Sequence, residues 1–484
     1  MARKFTRMSG QAFAEFNAVV FLIAGVCLLI LASCSVAARP QKPPTVATGT
    51  FNLYLQPLPQ EAFRVTFQID EAVARHADGR EVVVPLTQDI FSTDASTRVQ
   101  KRIARCVLPP GHYLGMSLHI GSASIAGEEG RVDLLPPENR LILDYAFNIR
   151  PDHSETLYLS LSADRLITDG ALFTPKFTLW KPERTLVNLK GFVSSSQTQG
   201  VTVFSKREAQ VLDTIQVGAG TSDLVLDQGR GWLYAAVENE NAIVAIEVNS
   251  GAILGRVPLR FGDEPAELAL TADGTVLLAL NMGSSTVSFI ETQSLFETAR
   301  VRLEMDPTGL FLGSDGRRAY VTHASENALS VIDLPTQSLR RVVSLDDAPR
   351  DGVANVDGDS LYLVNDYIAE VTVLDTASLE TRQKIYVGHG AVSIKADRLT
   401  GLLYVGKEDG TIAVVDPRSA MAIDSFTLPP EAVASITIDH EENALFAVLP
   451  QSGRLFKVDL VSKRILGSLN LEDGSRTVVV MGER

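Results

Sequence analysis

The chain has 484 residues, 45% of them apolar and 21% charged, which suits two or three globular domains rather than a disordered chain. A formal net charge of −14 argues against nucleic acid as a partner, because a phosphate backbone is bound by concentrated Lys and Arg. Of its three cysteines none sits in a CxxCH segment, which excludes covalent c-type haem; CxxC and HExxH segments are also absent.

The N-terminus carries Arg3, Lys4 and Arg7, followed by a 15-residue apolar run from Ala18 to Ala32. That length matches a signal-peptide core and falls short of the roughly 18–20 residues of a membrane span. The run ends in Leu31-Ala32-Ser33-Cys34. This resembles the lipobox of bacterial lipoproteins, which implies cleavage before Cys34 and lipidation of its thiol. The resemblance implies three acyl chains, together a firm anchor at about 0.8 kcal/mol per buried methylene. Ser35 stands where an inner-membrane retention signal places Asp, so the expected address is the outer membrane. Residues 1–33 are thus expected to be a signal peptide of net charge +2, whose removal leaves a mature chain of about −16. Residues 34–49, with Pro40, Pro43 and Pro44, read as the lipidated cysteine and a flexible tether. Cys106 is then the one remaining thiol, without a partner for an intrachain disulfide. Its neighbours Val107 and Leu108 mark it as a buried small hydrophobe.

Residues 50–183 alternate apolar and polar in short runs such as Phe63-Arg64-Val65-Thr66-Phe67-Gln68-Ile69 and Leu157-Tyr158-Leu159-Ser160-Leu161. Turn signals at Asp78-Gly79, Pro109-Pro110-Gly111 and Pro136-Pro137 separate them. The reading is an all-β fold opening with an antiparallel β-sandwich. The stretch Pro109-Pro110-Gly111-His112-Tyr113 resembles the PxGxY segment of a family of uncharacterised β-domains in bacterial lipoproteins, which implies no chemistry.

From residue 184 to 484 a repeat takes over. An aromatic or leucine recurs at Phe192, Tyr234, Leu278, Tyr320, Tyr362, Tyr404 and Phe446, at intervals of 42, 44, 42, 42, 42 and 42. A second marker, Ser205, Glu247, Glu291, Asp333, Asp375, Asp416 and Asp459, keeps phase with it. Short strands at this period predict a β-propeller. The segment Tyr320-Val321-Thr322-His323 resembles the motif of the YVTN propeller-repeat family, which implies the same fold. The first unit lacks an inner strand, and the last segment, Arg476 to Met481, is an inner strand without continuation. The C-terminal strand is therefore expected to complete the first of seven blades.

Catalytic motifs are thin. The seven histidines include no pair at metal-ligand spacing within one element, and neither GxSxG nor GxxxxGK[ST] occurs. No metal or cofactor is expected. The acids from Glu247 to Asp459 repeat once per unit at a strand end, which reads as a turn device accepting backbone N–H groups.

The loops of one propeller face hold Glu238, Glu240, Asp263, Glu264, Glu304, Asp306, Glu326, Asp346, Asp347, Asp351, Asp366, Glu408, Asp409, Glu431, Glu472 and Asp473 against Arg260, Arg350, Lys407 and Arg476. The opposite face is nearly balanced. The acidic face is expected to dock a basic or cationic protein partner. The reading is a lipid-anchored, non-enzymatic binding or scaffolding protein of the cell envelope. The alternatives are a lactonase-like or cofactor-dependent propeller enzyme, with His323, His389 and Arg350 as axial polar groups, and a cation-binding propeller.

Overall fold

The computed structural model describes residues 48–58, 65–93, 99–127, 130–151, 153–181, 186–197, 199–471 and 474–483. The signal segment, Cys34 and the tether up to residue 47 lie outside the described residues, as do Glu472 and Asp473.

From residue 190 the chain forms seven four-stranded antiparallel sheets. The blade around Tyr320 is typical, with strands Gly309–Leu312, Arg318–His323, Ala328–Asp333 and Ser338–Ser344 from inside out. The two middle strands are buried almost throughout, because each sheet is stacked between its neighbours. They therefore read as apolar runs, whereas the outer strand keeps exposed positions. Tyr320 stacks on Phe311 with ring centroids 5.3 Å apart, so the repeated aromatic is a packing element. Asp315 accepts the Arg317 N–H at 2.9 Å and Gly316 takes a φ of 64°, giving the hairpin its turn.

The ring closes as expected. Strand Ser475–Val480 pairs with Lys190–Ser195 in the register Gly191 to Val480, Phe192 to Val479 and Val193 to Val478. Gly191 is required there, since a Cβ would lie 2.1 Å from the Phe204 ring. The end of this strand is clamped by Gln228, which donates to Val480 O at 3.0 Å and accepts from Gly482 N at 3.0 Å.

Residues 48–181 build two larger sheets and a two-stranded pair, Ile167–Thr168 with Leu172–Phe173. One orders strands Phe177–Trp180, Ser154–Leu161, Gly49–Leu55 and Lys101–Leu108. The other is six-stranded, centred on Val65–His76 and Gly111–Gly127. They share one apolar core, with Phe51, Leu53, Leu157 and Leu159 from the first and Phe67, Ile69, Met116 and Phe147 from the second. The expectation of wholly antiparallel pairing is corrected: Gly49–Leu55 and Ser154–Leu161 run parallel, with Thr50 opposite Ser154 and Leu55 opposite Leu159. The strands are distant in sequence, so no hairpin turn dictates their relative direction.

The other face of that four-stranded sheet is also covered. Tyr54, Tyr158 and Trp180 join a cluster with Phe204, Val211 and Phe446 of the propeller. Gln100 Oε1 accepts the Val211 N–H at 2.9 Å, and Thr156 Oγ1 donates to Asp213 at 3.4 Å. The outer strand of the first blade, Gln210–Gln216, is thus protected by the two-sheet unit. Burial pushes the Asp213 carboxyl up to about 6, with Glu155 adding to the rise and Lys181 opposing it.

Candidate functional site

In a propeller the loops joining second to third strands and outer strands to the next inner strand share one face, here called upper. On it the structure divides the sequence-predicted acids into three groups. The first is neutralised locally. Glu240 pairs with Arg256 at 2.7 Å, Asp347 with Lys384 at 2.6 Å, Asp366 with Arg350 at 3.3 Å, Asp409 with Lys407 at 3.7 Å and Glu238 with Arg476 at 4.0 Å. Arg256 and Lys384 come from outer strands, outside the loops where the sequence reading looked.

The second group is buried and structural, and corrects the assignment to a partner surface. Asp263 takes both Arg300 guanidinium nitrogens at 2.7 Å and caps the Arg260 N–H at 2.7 Å. Burial raises its pKa, but the Arg300 bond outweighs this and holds the carboxyl below its usual range. Glu431 is buried and accepts the Ser452 N–H at 2.8 Å. Asp351 lies within the inner strand Ala348–Ala354, not in a surface loop. The strand begins immediately after Asp347, so no loop is left to carry it.

The third group, Glu264, Glu304, Asp306, Glu326, Asp346 and Glu408, is exposed and has no ion-pair partner among the described residues. Five of these, all but Glu408, form a continuous arc. Met282 N donates to Glu264 O at 3.2 Å, Ser285 Oγ to Asp306 at 3.4 Å, and Leu345 N, beside Asp346, to Asn327 O at 2.6 Å. Two aromatic rings stand on the same arc almost wholly in solvent, Phe261 and Tyr367. The sequence reading missed both, although each interrupts a polar loop.

The axial histidine expectation is corrected. His323 is fully buried at the end of a second strand; its Nδ1 donates to Asp306 O at 3.2 Å and its Nε2 accepts from Ser330 Oγ at 2.8 Å. Burial lowers its pKa, so the ring is a neutral structural group. His389 is exposed in a loop, and Arg350 is committed to Asp366.

The inner strands instead carry a belt of carboxylates, of which sequence reading named Asp351 alone and placed it in a loop. Asp223 accepts the Leu268 N–H at 2.8 Å, Glu267 the Leu310 N–H at 2.6 Å, and Asp351 the Ile394 N–H. Ser435 likewise accepts the Val478 N–H at 3.2 Å. Each acceptor reaches the neighbouring blade's inner strand. Thr477 Oγ1 donates to Asp223 at 2.7 Å. These residues fall on one repeat position, shared with Gly309 and Ser393, so aligning the units would have exposed the belt. Burial raises all three carboxyl pKa values, Asp351 to about 6; Glu267 is also pushed up by the charges of Asp351 and Asp223. The three carry the right chemistry for proton donation, but no group of three metal-ligating side chains occurs among the described residues.

The repeated acids at third-strand ends do what turn devices do. Glu247 accepts Asn249 N at 2.9 Å, Asp333 Thr336 N at 2.9 Å, Asp375 Ser378 N at 2.8 Å and Asp459 Ser462 N at 2.6 Å.

Comparison with known proteins bears on the fold. No family model matches the chain. A stretch of 143 residues is 29% identical to the seven-bladed beta-propeller protein Rv1057 of Mycobacterium tuberculosis, covering 28% of this chain. The match spans 33% of that relative's length. Among solved structures, a functionally unknown protein from Desulfotomaculum acetoxidans is similar, with a TM-score of 0.54 and 14% identity over 61% of this chain and 99% of the other. A candidate 6-phosphogluconolactonase from Bacteroides uniformis has a TM-score of 0.50 and 16% identity over 60% and 99%. The chain therefore contains a β-propeller homologous to a seven-bladed one.

Proposed function

We propose that this chain is a lipid-anchored, non-enzymatic binding or scaffolding protein of the cell envelope. In this reading Cys34 holds it to the outer membrane, residues 50–183 form a β-sandwich, and the propeller, in a YVTN-like repeat, presents its upper face to a protein partner. The observation that carries the reading is the arc of unneutralised acids and exposed aromatic rings left after the other upper-face charges have been paired. Charge remaining after local pairing is what a partner meets. Photo-crosslinking of the full chain in detergent, at low and high salt, tests it: partners should attach to residues between 261 and 367 and lose occupancy with salt. Crosslinks confined to the lower face would sink the reading.

A second reading is favoured by the axial carboxylates, whose raised pKa values suit acid–base work. A propeller hydrolase would turn over lactones and lose activity on Asp351→Asn; a cation-binding propeller would show calcium uptake by calorimetry. Neither result in the wild-type chain would leave the belt as an interblade clasp.

A further inference from the structure

We infer that the upper-rim arc from blade 2 to blade 5 is an aromatic-anchored docking surface for an arginine-rich segment of a protein partner. The inference rests on the proposed partner role of the upper face and narrows it.

Phe261 stands at the apex of the loop between the second and third blades. That loop is fixed from beneath: Asp263 is buried against Arg300 and caps the Arg260 N–H, and Gly262 takes a φ of 81°. The ring is nevertheless fully exposed, at 102% of its reference area. A single exposed apolar residue needs no explanation, but a rigid loop holding one away from the nearby core is a preorganised anchor. At the other end of the arc Tyr367 is 93% exposed and sits at a φ of 68°, a conformation that bulky side chains rarely adopt. Between the rings lie Glu304, Asp306, Glu326 and Asp346, exposed and without ion-pair partners among the described residues.

Exposed aromatic rings on a rim that also carries unpaired carboxylates match one side chain best. A guanidinium stacks on an aromatic ring and takes carboxylate oxygens in a planar fork, whereas an ammonium offers a compact point charge. The acids exclude an apolar or acidic segment and steer a basic one.

The test is fluorescence anisotropy of the full chain in detergent with an arginine-rich peptide, a lysine-rich peptide of the same length and a glutamate-rich control. Low salt is compared with about 1 M, where the screening length is about 3 Å. Wild type should bind the arginine peptide tightest and retain measurable binding at high salt. The double variant Phe261→Ser, Tyr367→Ser should lose roughly fivefold in affinity at both salts and no longer prefer arginine over lysine. Glu326→Gln with Asp346→Asn should weaken both basic peptides at low salt and have little effect at high salt. Unchanged arginine-peptide binding in the aromatic variant would overturn the anchors. If the acid variant still lost binding, the wider reading of a basic partner would survive. No binding by wild type, or equal binding of the glutamate peptide, would overturn the docking surface itself.

Discussion

Lys206 and Asp439 form an ion pair 2.6 Å long with both side chains fully buried, joining the first blade to the last. Lys206 also donates to Met481 O at 2.5 Å, so one ammonium ties the C-terminal strand to both sides of the ring seam. Asp439 in turn caps the N–H groups of Glu441 and Glu442, at 3.0 and 3.2 Å. Desolvation makes such a pair weak as a source of net stability, but leaving one partner alone is costly.

Lys206→Met should therefore destabilise the chain by about 3–5 kcal/mol, and adding Asp439→Leu should restore part of the loss. Denaturant melts of the two single variants and the double variant check this. Purely additive effects would show that the two residues do not act as a pair.

Truncation of residues 475–484 removes the inner strand of the first blade and exposes two strand edges. A loss of several kcal/mol and a shift to aggregates are expected. Calorimetry and size-exclusion chromatography report both, and an unchanged melting temperature would contradict the closure seen here.

The axial belt gives a signed pH dependence. Burial raises the Asp351 pKa from 3.8 to about 6. The folded state thus holds this proton more tightly than the unfolded state. Its contribution to stability is full below about pH 4, falls as pH rises and is gone above about 6. Asp351→Asn keeps an oxygen acceptor for the Ile394 N–H and removes the titration. Relative to wild type, the variant should gain in melting temperature between pH 4 and 7; a parallel pair of pH curves would refute the cause assigned. Asp213 at the two-sheet interface, also raised to about 6, should behave in the same direction.

Lipidation is tested at Cys34. Cys34→Ser removes the thiol that would accept the lipid, so palmitate incorporation and detergent-phase partitioning should be lost. Normal labelling of that variant would end the envelope-anchor proposal.

What the sequence determined by itself was everything set by short-range pattern. Phe192 to Phe446 and Glu247 to Asp459 repeat because each blade needs the same packed ring and the same capped turn, and both needs are local. Ring closure was legible because the first unit lacked a strand that the last segment supplied, and Val480 does pair with Gly191. Tertiary structure alone decided the sites. Asp263 reads like any loop acid until Arg300, 37 residues away, neutralises and buries it. His323 looks axial until Ser330 and Asp306 O occupy both ring nitrogens. Asp223, Glu267 and Asp351 sit in separate units, and only the closed ring brings their charges within reach of one another. The parallel pairing of Thr50 with Ser154 was equally hidden. Local periodicity states which way a side chain points from its own strand; which opposite charge or backbone edge it meets depends on segments tens to hundreds of residues distant, brought together only when the blades pack.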